Sequence, residues 1–273
     1  MYAAENEPAC IHHTFCHSKV LALMLALGHA PKGGRKLDLD GEVATRIYQN
    51  GNLAMLSNHN WKASISTVDY PYCRGSNSSG GCITFLWNKS YGPVLAATMV
   101  EYSLHEPANM QIPKKFPFDC NSVRITKVQD DGREFSNLND MKARMEINVR
   151  QADTVVKAKG FLADIDGNYS EISYEIEYIL NDNGLKLSVI VSDDCILCFP
   201  IISESGSCIV DEYRVLINGN DSSLTLNSEN TAPSVTMRTR SLSVTEVNPV
   251  GGFRYIPIEF ELENNQKAVL TLS

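Results

Sequence analysis

The chain has 273 residues, 43% of them hydrophobic, enough to bury one large core or two modest ones. Its net charge of −8 is uneven: residues 1–92 carry eight basic and six acidic side chains, residues 93–273 sixteen and twenty-six. So acidic a C-terminal portion disfavours nucleic acid or an anionic membrane as partner, since both need a basic face. No apolar run approaches the ~20 residues of a membrane-spanning helix.

The first predicted element is a helix over residues 10–30. Ile11, Phe15, Val20, Met24 and Leu27 recur at helical spacing, and Pro31 with Gly33 and Gly34 ends it. Val20 to Leu27 (VLALMLAL) is apolar around most of the circumference, so this helix needs contacts on more than one side. Something is therefore expected to precede and cover it. The run also has the short apolar centre of a signal peptide; Glu5, Glu7 and Pro31 at the cleavage point favour the buried helix. His13 and His17 lie four apart on this helix without a third metal ligand nearby, and no site is assigned to them.

From Val43 the period changes from helical to two. Strands are predicted on both sides of Asn50-Gly51, the strongest short hairpin signal, and again from Trp61. Further runs follow at 83–87, 94–102, 122–128, 141–149 and 154–163. Asp164-Ile165-Asp166-Gly167-Asn168 faintly resembles a calcium loop, but it lacks the terminal Glu and lies between strands, so a plain turn is expected. In "YSEISYEIEYIL" the alternation places Glu171, Ser173, Glu175 and Glu177 in water. Asn183-Gly184 marks another turn, and strands continue to residue 272. About a dozen strands with turn signals every 8–12 residues predict antiparallel layers packed face to face. The fold class is mainly β: a large antiparallel β-sandwich, supersandwich-like, over residues 43–205, a smaller β layer over 206–273, and the helical segment in 1–35. No repeat or linker sharpens the 205/206 boundary.

Eight cysteines include a CILC pair, Cys195 and Cys198. A second pair to complete a zinc site is missing, and strand spacing puts the two on opposite faces, so buried thiols are expected. The disulfide state stays open. Nucleotide-binding loops, a GxSxG elbow and an HExxH motif are absent.

The polar stretch is "YPYCRGSNSSGG", residues 70–81, between two strands. Tyr70, Tyr72, Arg74, Asn77 and Ser79 can all bond a polar ligand. Beside that stand plainer readings: Arg74 as a solvated loop charge, His105 as a turn cap, and Trp61, Trp87 and Tyr91 as core or cross-strand aromatics.

The order of a final helix, "GNLAMLSNHNWKASIST", a glycine-rich polar loop and "ITFLWNKSYGPVLAA" resembles heparinase II/III-like polysaccharide lyases, over residues 10–110. In that family an α/α toroid ends there and a β-sandwich begins. Setting Phe85 on the family's strand phenylalanine puts residues 77–81 where a loop of the form HGHAD lies. Asn77 and Ser79 then stand at its two histidines and Gly81 at its Asp; near Ala96-Ala97 a further metal-binding Asp is missing too. The resemblance implies uronate β-elimination shared by a Tyr and a His, with Asn, Arg or a metal on the carboxylate. It gives His59, Tyr72 and His105 as catalytic candidates and Tyr70, Tyr72, Arg74, Asn77 and Ser79 as substrate-binding ones. It also implies an acidic polysaccharide or oligosaccharide ligand, a toroid as missing partner for residues 1–35, and a periplasmic or extracellular setting within a longer protein. The alternative is a non-catalytic carbohydrate-binding or structural β-sandwich.

Neutral Asn and Ser are poor zinc ligands. No metal or other cofactor is therefore expected at residues 77–81: elemental analysis of the purified protein should find no stoichiometric zinc. One zinc per chain, lost on His59→Ala or His105→Ala, would overturn this.

Overall fold

The computed structural model describes residues 44–48, 52–68, 79–97, 101–103, 115–117, 122–150, 153–203, 206–219, 221–235 and 255–273, with the backbone alone for 101–103 and 115–117. The helix expected over residues 10–30 lies outside these.

Among the described residues the chain forms twenty strands. The first five make a meander: β1 (Ala44–Tyr48), β2 (Leu53–Ser57), β3 (Trp61–Ser66), β4 (Cys82–Asn88) and β5 (Gly92–Ala96). The short β6 (Glu101–Ser103) and β7 (Lys115–Pro117) pair with each other. The large sheet draws on β8 (Arg124–Val128), β9 (Glu134–Ser136), β10 (Arg144–Val149), β11 (Thr154–Ala163), β12 (Tyr169–Asn181), β13 (Gly184–Val191) and β14 (Cys195–Ile202). It continues with β15 (Cys208–Asp211), β16 (Arg214–Asn218), β17 (Ser223–Ser228), β18 (Pro233–Val235), β19 (Tyr255–Leu262) and β20 (Ala268–Leu272). Its order is β15-β16-β17-β20-β13-β12-β11-β9-β8-β14-β19-β18, with β10 on the free side of β11. The mainly β, antiparallel two-sheet architecture read from periodicity is what the chain adopts. Among the described residues the helical element is a single 3-10 turn, Asn137–Asn139, and none is long and apolar enough to cross a membrane.

The strand signals hold locally. Tyr48 pairs with Leu53 across the Asn50-Gly51 position. Along β12, Ile172, Tyr174, Ile176, Tyr178 and Leu180 are buried, while Glu171 and Glu175 are exposed. Lys157 answers the outward acids, 2.7 Å from Glu177 and 3.9 Å from Glu175. Asp164 closes the β11–β12 turn: its Oδ1 accepts from the Asp166 and Asn168 amides at 3.0 and 2.8 Å, and its Oδ2 from Asn168 Nδ2 at 2.9 Å. The sheet pays no attention to the 205/206 boundary. β19 pairs with β14 from Cys195↔Leu262 to Ile202↔Tyr255, and β20 lies between β13 and β17. The smaller C-terminal layer, β15 to β17, is continuous with the large sheet through β20.

One core fills the space between the sheets, from Trp61, Ile65, Ile83 and Leu86 on one side to Tyr178, Leu162, Phe199 and Phe260 on the other. Each such side chain removed from water contributes about 1.5–3 kcal/mol. Polar ties cross the interface: Tyr91 donates to Ile202 O at 2.7 Å, and Thr45 Oγ1 lies 3.0 Å from Thr154 Oγ1. Backbone of one sheet comes close to the other at Gly80-Gly81. Tyr178 donates from the large sheet to Gly81 O at 2.8 Å. Both glycines have positive φ, +67° and +77°, and a Cβ on Gly81 would sit 2.1 Å from the Ala158 Cβ.

Gly81→Ala should therefore destabilise the protein by about 2–4 kcal/mol, combining left-handed backbone strain with overpacking. In urea titrations, adding Ala158→Gly should recover part of that loss through a favourable coupling between the two changes. Additive effects would mean the two atoms do not collide. The cysteines give a second test. Cys195 faces the core, Cys198 is buried on the other face of β14, and neither forms a disulfide. Burial pushes the Cys195 thiol up to about 12. Since the thiolate is the reactive form, Cys195 should resist iodoacetamide at pH 8 until denaturant is added, while the half-buried Cys208 reacts before it, as followed by mass spectrometry. Rapid labelling of Cys195 in the native protein would contradict this burial.

Candidate functional site

The polar stretch leaves the small sheet after β3 and returns before β4, and both of its ends are tied down. Thr67 N donates to Asn52 O at 2.9 Å, and Gly81 N to Ser66 O at 2.8 Å. Ser79 is fully buried and its hydroxyl donates to Leu138 O. Asn137, also fully buried, bridges the sheets: its Oδ1 accepts from Ile125 N at 2.7 Å and its Nδ2 donates to Gly80 O at 3.2 Å. A Cβ on Gly80 would lie 1.7 Å from Asn137 O, so the backbone can pass here only as glycine. The Gly-Gly pair is a seat for the loop end.

Three residues beyond Asn137, Asp140 is 1% exposed and holds the adjoining part of the large sheet. Its Oδ1 accepts from Lys142 N at 2.9 Å; its Oδ2 accepts from Phe161 N at 3.1 Å and from the Tyr174 hydroxyl at 2.9 Å. Gly160 leaves room for this, since a Cβ there would fall 1.8 Å from Oδ2. Burial, then the Asp140 carboxylate, push the Tyr174 hydroxyl well above its ordinary range. Tyr174 is thus a fixed proton donor at neutral pH. Donors surrounding a buried carboxylate in this way make it a structural clamp.

Of the residues singled out by sequence, Tyr70, Tyr72, Arg74, Asn77 and His105 lie outside the described residues. Ser79 is enclosed, and its hydroxyl anchors the loop end to the large sheet. His59 sits in the turn between β2 and β3, at the other end of β3 from Ser66, about 20 Å away at strand rise. There its amide donates to Asp182 Oδ1 at 3.2 Å, and it lines a cleft of ≈ 480 Å³ with Arg150, Asp153 and Asn181. The chain leaves the small sheet at Val68 and Ala97 and returns at Ser79, all toward the end opposite His59. Hence the segments carrying Tyr70, Tyr72, Arg74, Asn77 and His105 start from one end of that sheet, and His59 belongs to the other. Among the described residues no three His, Cys, Asp or Glu side chains converge as metal ligands.

A larger cleft, ≈ 980 Å³, opens on the face of β11–β13 turned away from the small sheet. Arg144, Lys159, Glu175 and Ile190 stand in one cross-strand row. Beside them are Phe161, paired with Ser173, and Lys142, whose Nζ lies 4.6 Å from the Tyr169 ring centre. Sequence reasoning missed this cleft. The signal was the outward parity of Lys159 and Phe161 in "KAKGFLAD", which carries meaning only once register aligns it with β10, β12 and β13.

A family model described as "Ulvan lyase C-terminal domain" matches residues 45–273. A broad-specificity ulvan lyase from Formosa agariphila is 26% identical over 289 residues, spanning 99% of this chain and 44% of that protein. The chain thus spans less than half the length of the curated relative it matches. Among solved structures, a heparinase III superposes with a TM-score of 0.53 at 8% identity, covering 85% of this chain and 35% of that one. A second heparinase III structure gives 0.52 at 7% identity, with 85% and 36% covered. At such identities the likeness speaks for the fold alone, which is the sandwich expected from the resemblance. With the match extending over residues 45–273, the chain belongs to the ulvan lyase C-terminal domain family, a C-terminal domain of polysaccharide lyases.

Proposed function

We propose that this chain forms one wall of the substrate cleft in a longer lyase that cuts acidic polysaccharide, of the ulvan kind, by β-elimination. Family membership over residues 45–273 carries the reading. In such a step the C5 proton of a uronate leaves to a base, C4=C5 forms, the C4–O4 bond breaks and the departing oxygen takes a proton from an acid. The negative charge growing next to the carboxylate needs a positive or hydrogen-bonding group. Tyr72 and His105 take the proton steps, Arg74 and Asn77 face the carboxylate, and Tyr70 lies along the sugar. The common origin of their segments at one end of the small sheet supports grouping them; His59, about 20 Å from that end, stays outside.

The opposite wall comes from a partner domain, for which a helical toroid is the fitting candidate. A polymer does not cross a membrane, so the natural setting is the periplasm or the extracellular space. The second reading is a non-catalytic carbohydrate-binding or structural sandwich. It draws on Ser79, which stands at a histidine of the family loop and whose hydroxyl is already bonded to Leu138 O.

The test is new ultraviolet absorbance from unsaturated uronate when the longer protein meets ulvan, glycosaminoglycans, alginate and pectins. Tyr72→Phe and His105→Ala should each lower turnover about 100-fold or more, whereas His59→Ala should change it by less than about threefold. Binding of these polymers without new absorbance would select the second reading.

A further inference from the structure

We propose that the outward cleft of β11–β13 is a second saccharide site, which holds an acidic oligosaccharide without cleaving it. This rests on the reading of the chain as part of a polysaccharide lyase. Phe161 is 50% exposed and Tyr169 36% exposed, two rings on the face of the large sheet turned away from the small one. Isolated exposed apolar side chains need no explanation, but two aromatics flanking one concavity form the apolar platform of a binding site. A pyranose ring presents a flat C–H face that fits such a platform.

The charges around the platform are sorted by side. Lys142 and Arg144 stand along the β10 wall, and among the described residues neither makes an ion pair. Other outward cations are engaged: Lys159 lies 3.4 Å from Glu146, and Lys157 lies 2.7 Å from Glu177. Lys142 is drawn over the Tyr169 ring, at 4.6 Å, so its ammonium is held at the edge of the platform. Across the cleft Glu171 and Glu175 on β12 are exposed. One wall offers cations for a carboxylate or sulfate, and the other offers acceptors for sugar hydroxyls. A bare polyanion would use only the first wall, and a neutral glucan only the second, so an acidic saccharide fits both. Chemistry is not built in: among the described residues no histidine lines the cleft, and the Asp140 carboxylate below is held by Lys142 N, Phe161 N and the Tyr174 hydroxyl. A site of this kind on a lyase would raise the local concentration of a polymer whose other stretches reach the cutting site.

The experiment is affinity electrophoresis and calorimetry of the full chain with ulvan, polygalacturonate, dextran sulfate and neutral dextran. Phe161→Ala, and separately Lys142→Ala with Arg144→Ala, should each weaken binding to ulvan about tenfold. The double variant should also flatten the salt dependence. Dextran should not bind. Polygalacturonate binding with no preference for dextran sulfate assigns the cationic wall to carboxylate, and the reverse assigns it to sulfate. In the longer protein these variants should leave turnover of short oligosaccharides unchanged and slow turnover of dilute polymer. Unchanged ulvan binding in both variants overturns the proposal. So does a loss confined to association of this chain with the rest of the longer protein, which would make the cleft a domain seat. Cleavage of ulvan by the parent, with silent cleft variants, leaves the lyase reading standing while the second site falls. Cleft-dependent binding without cleavage of any polymer does the opposite.

Discussion

The molecule depends on how closely the two sheets meet at Gly80-Gly81. Here backbone of one sheet lies against Ala158 and Asn137 of the other. Two glycines in left-handed conformation make the approach possible, and the facing positions are small or amide-bearing to receive it. The Tyr178 hydroxyl and the Asn137 amide then bond the two carbonyls that would otherwise be buried without partners. Losing either leaves a buried polar group unsatisfied, a cost of about 1–3 kcal/mol.

Much of the architecture was legible because alternation and turn chemistry are local. The parity of β12, the Asn50-Gly51 hairpin, the Asp164 turn and the buried CILC pair all followed from spacing. What sequence does not encode in readable form is register between distant strands. That Lys159 stands between Arg144 and Glu175, that β20 slots between β13 and β17, and that His59 lies far from the loop roots are consequences of pairing. Asp140, in "LNDMKAR", looks like one more solvated loop acid, and nothing in its neighbourhood announces that it is buried. Ser79 misled for a related reason: beside Asn77 and Ser78 it looks like loop surface, yet the adjacent glycines carry it under Leu138.

The two ends of the small sheet have different characters. At the His59 end, short turns lock onto the Asp182 hairpin, with Asn60 Nδ2 donating to Asp182 O at 3.0 Å and Lys89 N to Asn60 O at 2.8 Å. At the other end the chain departs through two longer segments, which carry Tyr70, Tyr72, Arg74, Asn77 and His105. Rigid elements that hold variable loops are the common way for a sandwich to carry function.

The seat of the 69–78 stretch has an evolutionary corollary. The described residues on either side of it, Thr67 and Ser79 to Gly81, are held by Asn52, Ser66, Asn137, Leu138 and Tyr178. Selection for a folded domain therefore acts on this socket, where one added Cβ would collide with backbone or with Ala158.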